Sequence, residues 1–199
     1  MRYGADFSRN LGSNMEVHGE IARITDTQRV VVDSAGKSTQ VTGSAMSYLL
    51  GLRYLTEKET TYLLEYYRNG PGFSRQEEQS FFSLAHEGVE QFSSTGNRVL
   101  LQRAQAVNSM YAGQTTMRHY LYLKISQNEP FNLVYFVPSI AVIANVDDHS
   151  MLIQPELLYK GIKNLDLRFR IQANAGPRLT EFGEKEASER VEFRIRYYF

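Results

Sequence analysis

Apolar and polar residues alternate along most of the chain with a period of two. The last ten residues give the clearest case, because apolar side chains occupy every second position and mostly charged side chains fill the positions between them. The apolar set is Val191, Phe193, Ile195, Tyr197 and Phe199, and the polar set is Arg190, Glu192, Arg194, Arg196 and Tyr198. A period of two predicts a β-strand with one apolar and one polar face.

The same alternation predicts nine strands joined by turn-forming residues. The predicted strands cover residues 3–9, 15–21, 45–55, 60–68, 120–125, 131–145, 153–160, 165–175 and 190–199. Short turns are expected near positions 11, 57, 128 and 161, and long connections over 26–43, 69–114 and 177–189. Consecutive strands joined in this way favour an all-β, antiparallel up-and-down sheet.

Residues 74–111 break the alternation and follow helical spacing instead. Ser74 with Glu77 three positions later is a capping-box pattern, which predicts the start of a helix. We expect two short helices here, inserted into a single domain that spans residues 1–199. The insertion is interpreted as a structural cap, and a lid, a plug or an external surface for a partner remain open as alternatives.

An alternating sheet has two physical interpretations. In a soluble sandwich or barrel the apolar face forms the core, whereas in a transmembrane barrel the apolar face contacts lipid and the polar face lines the lumen. Short and long connections alternate along this chain, as they do in outer-membrane barrels, except that the connection over 146–150 is short where a long one is expected. Tyrosines also cluster towards predicted strand ends, as at membrane interfaces. Both features favour the transmembrane interpretation.

The final strand resembles that of bacterial outer-membrane β-barrel proteins, which ends in an aromatic residue, usually Phe. The matching positions are Phe193, Ile195, Tyr197 and Phe199. The resemblance implies a transmembrane β-barrel in the bacterial outer membrane, surrounded by outer-membrane lipid, with these four residues read by the barrel-assembly machinery. Residues 7–11 and 65–70 are also similar to segments of porin-like barrels.

The number of predicted strands is odd, whereas bacterial single-chain barrels have even numbers. We therefore expect the chain to be the C-terminal part of a larger barrel, or a subunit whose barrel is completed by a partner chain. An open sheet edge in lipid would leave backbone groups unpaired, which is costly. The N-terminal residues have no basic segment followed by an apolar one, which agrees with a missing upstream portion.

Composition excludes several classes of protein. Of 199 residues, 22 are Lys or Arg and 22 are Asp or Glu, so the net charge is zero and no nucleic-acid partner is indicated. Cysteine is absent, which excludes disulfide scaffolds, thiolate metal sites and cysteine nucleophiles. No run approaches the ~20 apolar residues that a membrane-spanning helix needs.

In the barrel interpretation, the charged positions of the strands line the lumen. The candidates are Glu16, His18, Glu20, Arg53, Glu65, Lys124, Glu156, Arg168, Arg170, Glu192, Arg194 and Arg196. When Asp6, Asp166 and Lys160 on the same inferred face are included, seven acidic residues balance seven basic ones, so an ion-paired or solvated wall is the favoured interpretation. Two adjacent strands carry Arg168, Arg170, Arg194 and Arg196, where a basic strip that attracts anionic solutes is the alternative.

The four histidines do not form a recognisable catalytic pattern. His18 lies between two carboxylates on one strand, but one strand rarely supplies a whole metal or proton-transfer site. His86 has no assigned carboxylate to orient it, and His119 and His149 are expected at the surface. We predict no catalytic residue, no metal and no cofactor, and expect the protein not to be an enzyme.

The sequence therefore predicts an outer-membrane barrel of the porin or channel type, which passes or docks an unidentified solute. The first alternative is a structural or assembly component of a multi-chain outer-membrane complex. The second is a soluble β-barrel that binds a small apolar ligand in its interior.

Overall fold

A computed structural model describes residues 1–33, 36–111 and 115–199 of the chain, without the side chains of 109–111. Strands and helices follow one another in an order that agrees with the alternation of the sequence. The elements are β1 (Arg2–Leu11), β2 (Met15–Val32), β3 (Ser38–Leu55), β4 (Thr60–Arg68), α1 (Arg75–Thr95), α2 (Val99–Tyr111), β5 (His119–Gln127), β6 (Phe136–Asn145), β7 (Met151–Ile162), β8 (Leu165–Ala175) and β9 (Glu189–Tyr197).

All nine described strands form one antiparallel sheet in which each strand pairs with its neighbours in sequence. The prediction of an antiparallel all-β fold with a helical insertion is confirmed. Within the described residues the sheet is open, since β1 pairs with β2, β9 pairs with β8, and the two outer strands do not pair with each other.

Two strands match their predicted bounds, and two segments differ from the prediction by more than two residues. β4 and β8 begin and end where the alternation predicts. The prediction of a strand from residue 131 is wrong, because Pro130–Asn132 form a short 3-10 helix and β6 begins at Phe136. Positive φ angles at Phe131, Asn132 and Tyr135 are incompatible with a continuous strand.

The expected long connection over 26–43 is also wrong. β2 and β3 continue to pair as far as Val32 and Ser38, after a bulge near Asp26, whose φ is 64°. β4 joins β3 only from Tyr48 onwards, so the outer part of this hairpin extends beyond its neighbours. Its β2 strand contacts both helices. The β2–β3 connection is therefore shorter than predicted, and the chain has one long connection fewer than the alternation of short and long connections requires.

The first helix of the insertion, α1, begins and ends with well-formed caps. The Ser74 side chain accepts a hydrogen bond from the Glu77 backbone and the Glu77 side chain accepts one from the Ser74 backbone, so the predicted capping box is confirmed. Gly96 ends α1 in the left-handed conformation, which glycine adopts without steric cost. At Gly88 the two helices cross closely, because an added Cβ would lie 2.8 Å from the Leu101 backbone nitrogen.

The buried core lies between the helices and one end of the sheet. Its members are Val32, Phe73, Leu84, Ala104, Val107, Met117 and Tyr120. They come from the extended hairpin, both helices and the segments that flank the insertion, rather than from one face of the sheet. The insertion is therefore packed against the structure as a cap at one end of the sheet.

Candidate functional site

One face of the sheet is apolar across its whole width and exposed. The register aligns Leu52, Leu64 and Leu123 on three neighbouring strands, and each of these side chains is exposed. At the other edge of the sheet, Phe193 and Ile195 are 63% and 61% exposed. The described helices do not cover this face, which we call the apolar band.

Tyrosines lie at both margins of the apolar band. Tyr48 and Tyr66 pack together near the capped end of the sheet, with ring centroids 5.9 Å apart. Tyr54 and Tyr62 are paired neighbours near the short turn at the opposite end. The aliphatic positions of β3 and β4 lie between these two pairs, so on these two strands the band has an aromatic margin at each end.

The sequence-predicted lumen residues all lie on the opposite face, which we call the polar face. Cross-strand pairs such as Glu16 with Arg53 and Glu156 with Arg170 fix this placement. The half-buried members are Glu16, His18, Glu65, Lys124, Glu156, Arg168, Arg170 and Glu192, and the exposed members are Glu20, Arg53, Arg194 and Arg196. The predicted assembly residues Phe193, Ile195, Tyr197 and Phe199 are exposed, and the strand residues among them lie on the apolar band.

Charges on the polar face form ion pairs between neighbouring strands and within one strand. Arg170 Nε donates to Glu156 Oε2 at 2.8 Å, and this carboxylate is only 15% exposed. Arg194 lies 3.0 Å from Glu192 on the same strand. Partial burial makes such pairs stronger than fully exposed ones, because water screens them less.

His18 reaches across β3 to a carboxylate on β4. Its Nε2 lies 3.1 Å from Glu65 Oε1, and its ring lies over Gly51, where a Cβ would overlap the imidazole. On the other side of the ring, His18 Nδ1 lies 3.9 Å from Glu16 Oε1. The carboxylates near His18 are thus those of Glu16 and Glu65, and Glu20 is not one of them. In the part of the chain that the structure describes, no group of three or more His, Cys, Asp or Glu residues is arranged to hold a metal ion.

A second polar cluster, which sequence reasoning missed, lies under the helical cap. We call it the acidic cap cluster, and its members are Glu78, Tyr120, Asn145, Asp148 and Glu181, each at most 4% exposed. They come from α1, β5, the end of β6, the β6–β7 turn and the β8–β9 connection. Residues 147–150 follow β6 with the sequence Asp-Asp-His-Ser, which is typical of a turn. Nothing in this local sequence indicates that Asp148 is buried.

Hydrogen bonds connect the acidic cap cluster across three connections. The Glu181 backbone donates to Asp148 at 2.7 Å, and its carboxylate accepts from the Tyr120 hydroxyl at 2.7 Å and from the Asn145 amide at 2.9 Å. The Thr116 backbone donates to the other Glu181 oxygen. Buried carboxylates satisfied in this way fix the relative positions of the segments that bear them.

Glu78 differs from the other carboxylates of this cluster. Burial raises its pKa, and the nearby carboxylates of Asp148 and Glu181 raise it further, to about 9, against the opposing effect of a hydrogen bond from Thr116. Glu78 is therefore protonated at neutral pH, so its own negative charge is not added to this buried site.

Glu77 is held in the opposite state by a neighbouring ion-pair cluster. Burial alone would raise its pKa, but hydrogen bonds from Ser74 and the charges of Arg29 and Arg118 outweigh this effect and lower it. Arg29 and Arg118 lie 3.0 Å and 3.2 Å from its carboxylate oxygens, and both donate to the Gly72 carbonyl. This cluster attaches the extended hairpin to the start of α1.

The histidines near the cap have carboxylate partners that the sequence did not reveal. His86 Nε2 lies 3.0 Å from Glu184 Oε2, and Arg178 lies 3.3 Å from its other ring nitrogen. His119 Nδ1 lies 2.8 Å from Asp147 Oδ1, whereas His149 is exposed, as expected. These contacts connect α1 to the β8–β9 connection, and β5 to the β6–β7 turn.

A cavity of about 580 Å³ lies between the helices and the β8–β9 connection. Its lining includes Phe81, Val89 and Leu101, with His86 and Glu184 at its polar side. None of the described helices is long and apolar enough to cross a membrane. No family model and no curated protein matches the chain.

Proposed function

We propose that this chain forms the wall of an outer-membrane β-barrel of the porin or channel type. The apolar band would face lipid, and the polar face would line a water-filled lumen through which a solute passes. The exposure of the apolar band across nine neighbouring strands carries this proposal. A soluble monomer rarely exposes an apolar patch larger than a few hundred Å².

Strand length and aromatic placement support the same proposal. The shortest of the nine strands have nine residues, and a strand that crosses a bilayer at a tilt needs about 9–11. Aromatic margins on both sides of an aliphatic band match the arrangement that membrane interfaces favour. The charged polar face, with partly buried ion pairs such as Arg170 with Glu156, is suited to a hydrated interior.

The open edges favour a barrel completed by additional strands. In the described sheet, β1 and β9 each have one side without a strand partner, and lipid cannot satisfy the free backbone groups. We propose that further strands or a partner chain supply the pairing. A purely structural role in such a multi-chain complex is the alternative function.

Leu63 and Leu64 provide a matched test of the two faces. Leu63 pairs with Arg53 and Lys124 on the polar face, whereas Leu64 pairs with Leu52 and Leu123 on the apolar band. The chain contains no cysteine, so Leu63→Cys and Leu64→Cys each place one thiol in an otherwise unreactive background.

The two cysteine variants would be reconstituted in vesicles and probed with a membrane-impermeant thiol reagent. We expect this reagent to reach the thiol at position 63 from the lumen. In a second measurement, a spin label attached to the cysteine at position 64 should collide with oxygen dissolved in lipid. The reverse pattern, or a chain that remains soluble without detergent, would contradict the membrane proposal. Stepwise conductance in planar bilayers tests the channel, and a folded but silent barrel would favour the structural role.

A further inference from the structure

The cavity under the helical cap has the size and the apolar wall of a small-molecule site. Its volume of about 580 Å³ lies within the range of roughly 300 to 1,000 Å³ that such sites occupy. Phe81 and Val89 of α1 and Leu101 of α2 contribute to the wall, and Phe73 stacks on Phe81 with ring centroids 6.2 Å apart. A wall of this kind binds the hydrocarbon part of a ligand by removing it from water.

The lining of this cavity is acidic where it meets the acidic cap cluster. Glu78 and Glu181, which are 1% and 4% exposed, lie at its inner end, and Val89, which is 52% exposed, lies at its outer end. The ionisable side chains of the lining are Glu78, Glu181, Glu184 and Glu186 against His86 and Lys185. Carboxyl groups therefore outnumber basic side chains, and His86 already contacts Glu184.

The acidic cap cluster has no cation of its own. Within the described residues, no Lys, Arg or His side chain forms an ion pair with Glu78, Asp148 or Glu181. The groups that donate to Asp148 and Glu181 are backbone amides, hydroxyls and the Asn145 amide, all of them neutral. A buried acidic site without a cation is costly, so a positive charge that reached it would be strongly attracted.

Glu78 has one buried oxygen that no donor reaches. Its Oε1 accepts a hydrogen bond from the Thr116 hydroxyl at 3.2 Å, whereas Oε2 is buried and accepts none from the described residues. Buried polar atoms are rarely left in this state. A donor group at the inner end of the cavity would satisfy Oε2.

We propose that this cavity binds a small molecule that carries one protonated amino group on an aromatic or aliphatic body. The body would lie against Phe81, Val89 and Leu101, and the amino group would donate to Glu78 and Glu181. Glu78 would release its proton to water on binding, because an adjacent cation favours the ionised carboxylate. The inference concerns the helical cap and does not depend on the proposed function of the sheet.

Three probes of similar size test the preference for a cation. Phenethylamine, phenethyl alcohol and phenylacetate share an aromatic body and differ in the charge of the group that would face Glu78. Their binding to the full chain would be measured by titration calorimetry in the detergent or buffer that keeps the chain folded, with the same solvent alone as the blank. We expect the amine to bind roughly tenfold more tightly than the alcohol, and phenylacetate to bind more weakly than both. Equal binding of the three probes, or no saturable binding of the amine, would overturn the proposal.

Glu78→Gln tests the inner end of the cavity, since glutamine has nearly the same shape but cannot become negatively charged. It should weaken binding of phenethylamine roughly tenfold and change binding of phenethyl alcohol by less than about twofold. Glu87→Gln, at an exposed position of the same helix outside the cavity, is the matched control and should leave both affinities unchanged. An equal loss of amine binding in the two variants, or no loss in Glu78→Gln, would contradict the assignment.

Val89→Trp tests the outer end, because the larger side chain would fill the space meant for the aromatic body. It should weaken the amine and the alcohol together, and circular dichroism would show that the helices remain folded. Unchanged amine binding in a folded Val89→Trp variant would place the ligand elsewhere and overturn the cavity as its site. A chain that binds the amine in this way but never conducts supports the cavity and counts against the channel alone.

Discussion

Replacing Glu78 by glutamine tests whether the cap is held together by a protonated carboxyl group. Glu78 is 1% exposed on α1, and it faces Asp148 and Glu181 in the acidic cap cluster. Glutamine has nearly the same shape and is neutral at every pH. The substitution therefore removes the titration while leaving the packing and the Thr116 contact in place.

The sign of the pH effect follows from the raised pKa. When the cap opens, Glu78 returns to its ordinary pKa of 4.5, whereas in the closed cap its pKa is about 9. Between these values the open state is ionised and the closed state is protonated, so the stability of the closed cap falls as the pH rises. The fall amounts to at most about 1.4 kcal/mol for each pH unit, or about 4 kcal/mol between pH 5 and pH 8.

Amide hydrogen exchange in α1 measures this difference when wild type and Glu78→Gln are compared at the same pH. We expect the α1 amides of wild type and Glu78→Gln to be similarly protected near pH 5. Near pH 8 the α1 amides of the variant should be protected about a thousandfold more than those of wild type. Glu87→Gln, at an exposed position of the same helix, is the control and should leave α1 protection unchanged. If the protection of wild type and Glu78→Gln has the same pH dependence, the buried proton does not control the cap.

Two further pairs of substitutions test the two faces of the sheet and the contact between His18 and Glu65. Leu64→Arg places a charge within the apolar band and should destabilise the membrane-inserted protein by about 2 to 4 kcal/mol, measured by denaturant unfolding from vesicles. Leu63→Glu faces Arg53 and Lys124 on the polar face, so it should destabilise the protein by less than half as much. Gly51→Ala should displace the His18 ring from Glu65 and cost about 1 kcal/mol, with no additional loss when His18→Gln is combined with it. Gly43→Ala on the same strand meets nothing within 4 Å and should be neutral; equal losses at both glycines would contradict the role of Gly51.

The sheet could be predicted because its information is local. Alternation between neighbouring positions sets which side chains share a face, and turn-forming residues set where a strand reverses, so β4 and β8 were predicted to the residue. The helix start at Ser74 was likewise encoded within one turn. The hairpin beyond Ile24 was missed because a bulge interrupts the alternation there.

The acidic cap cluster could not be predicted from local patterns. Glu78, Asp148 and Glu181 lie far apart in sequence, and each looks like an ordinary surface carboxylate until three connections meet above the sheet. The His86–Glu184 contact joins elements 98 positions apart for the same reason. Periodicity reports the face of a strand, but it does not report which loops come together at its end.

The apolar band is more stable in contact with lipid and the polar face in contact with water, and this limits the environments that suit the chain. Water on the apolar band would hydrate aliphatic and aromatic side chains across every strand, at a cost of about 25 cal/mol for each Å². Lipid on the polar face would desolvate Arg168, Arg194 and Arg196 together with the carboxylates beside them. An arrangement with lipid outside and water inside avoids both costs. This asymmetry makes the face of each side chain, rather than its identity alone, the property that the Leu63 and Leu64 variants have to probe.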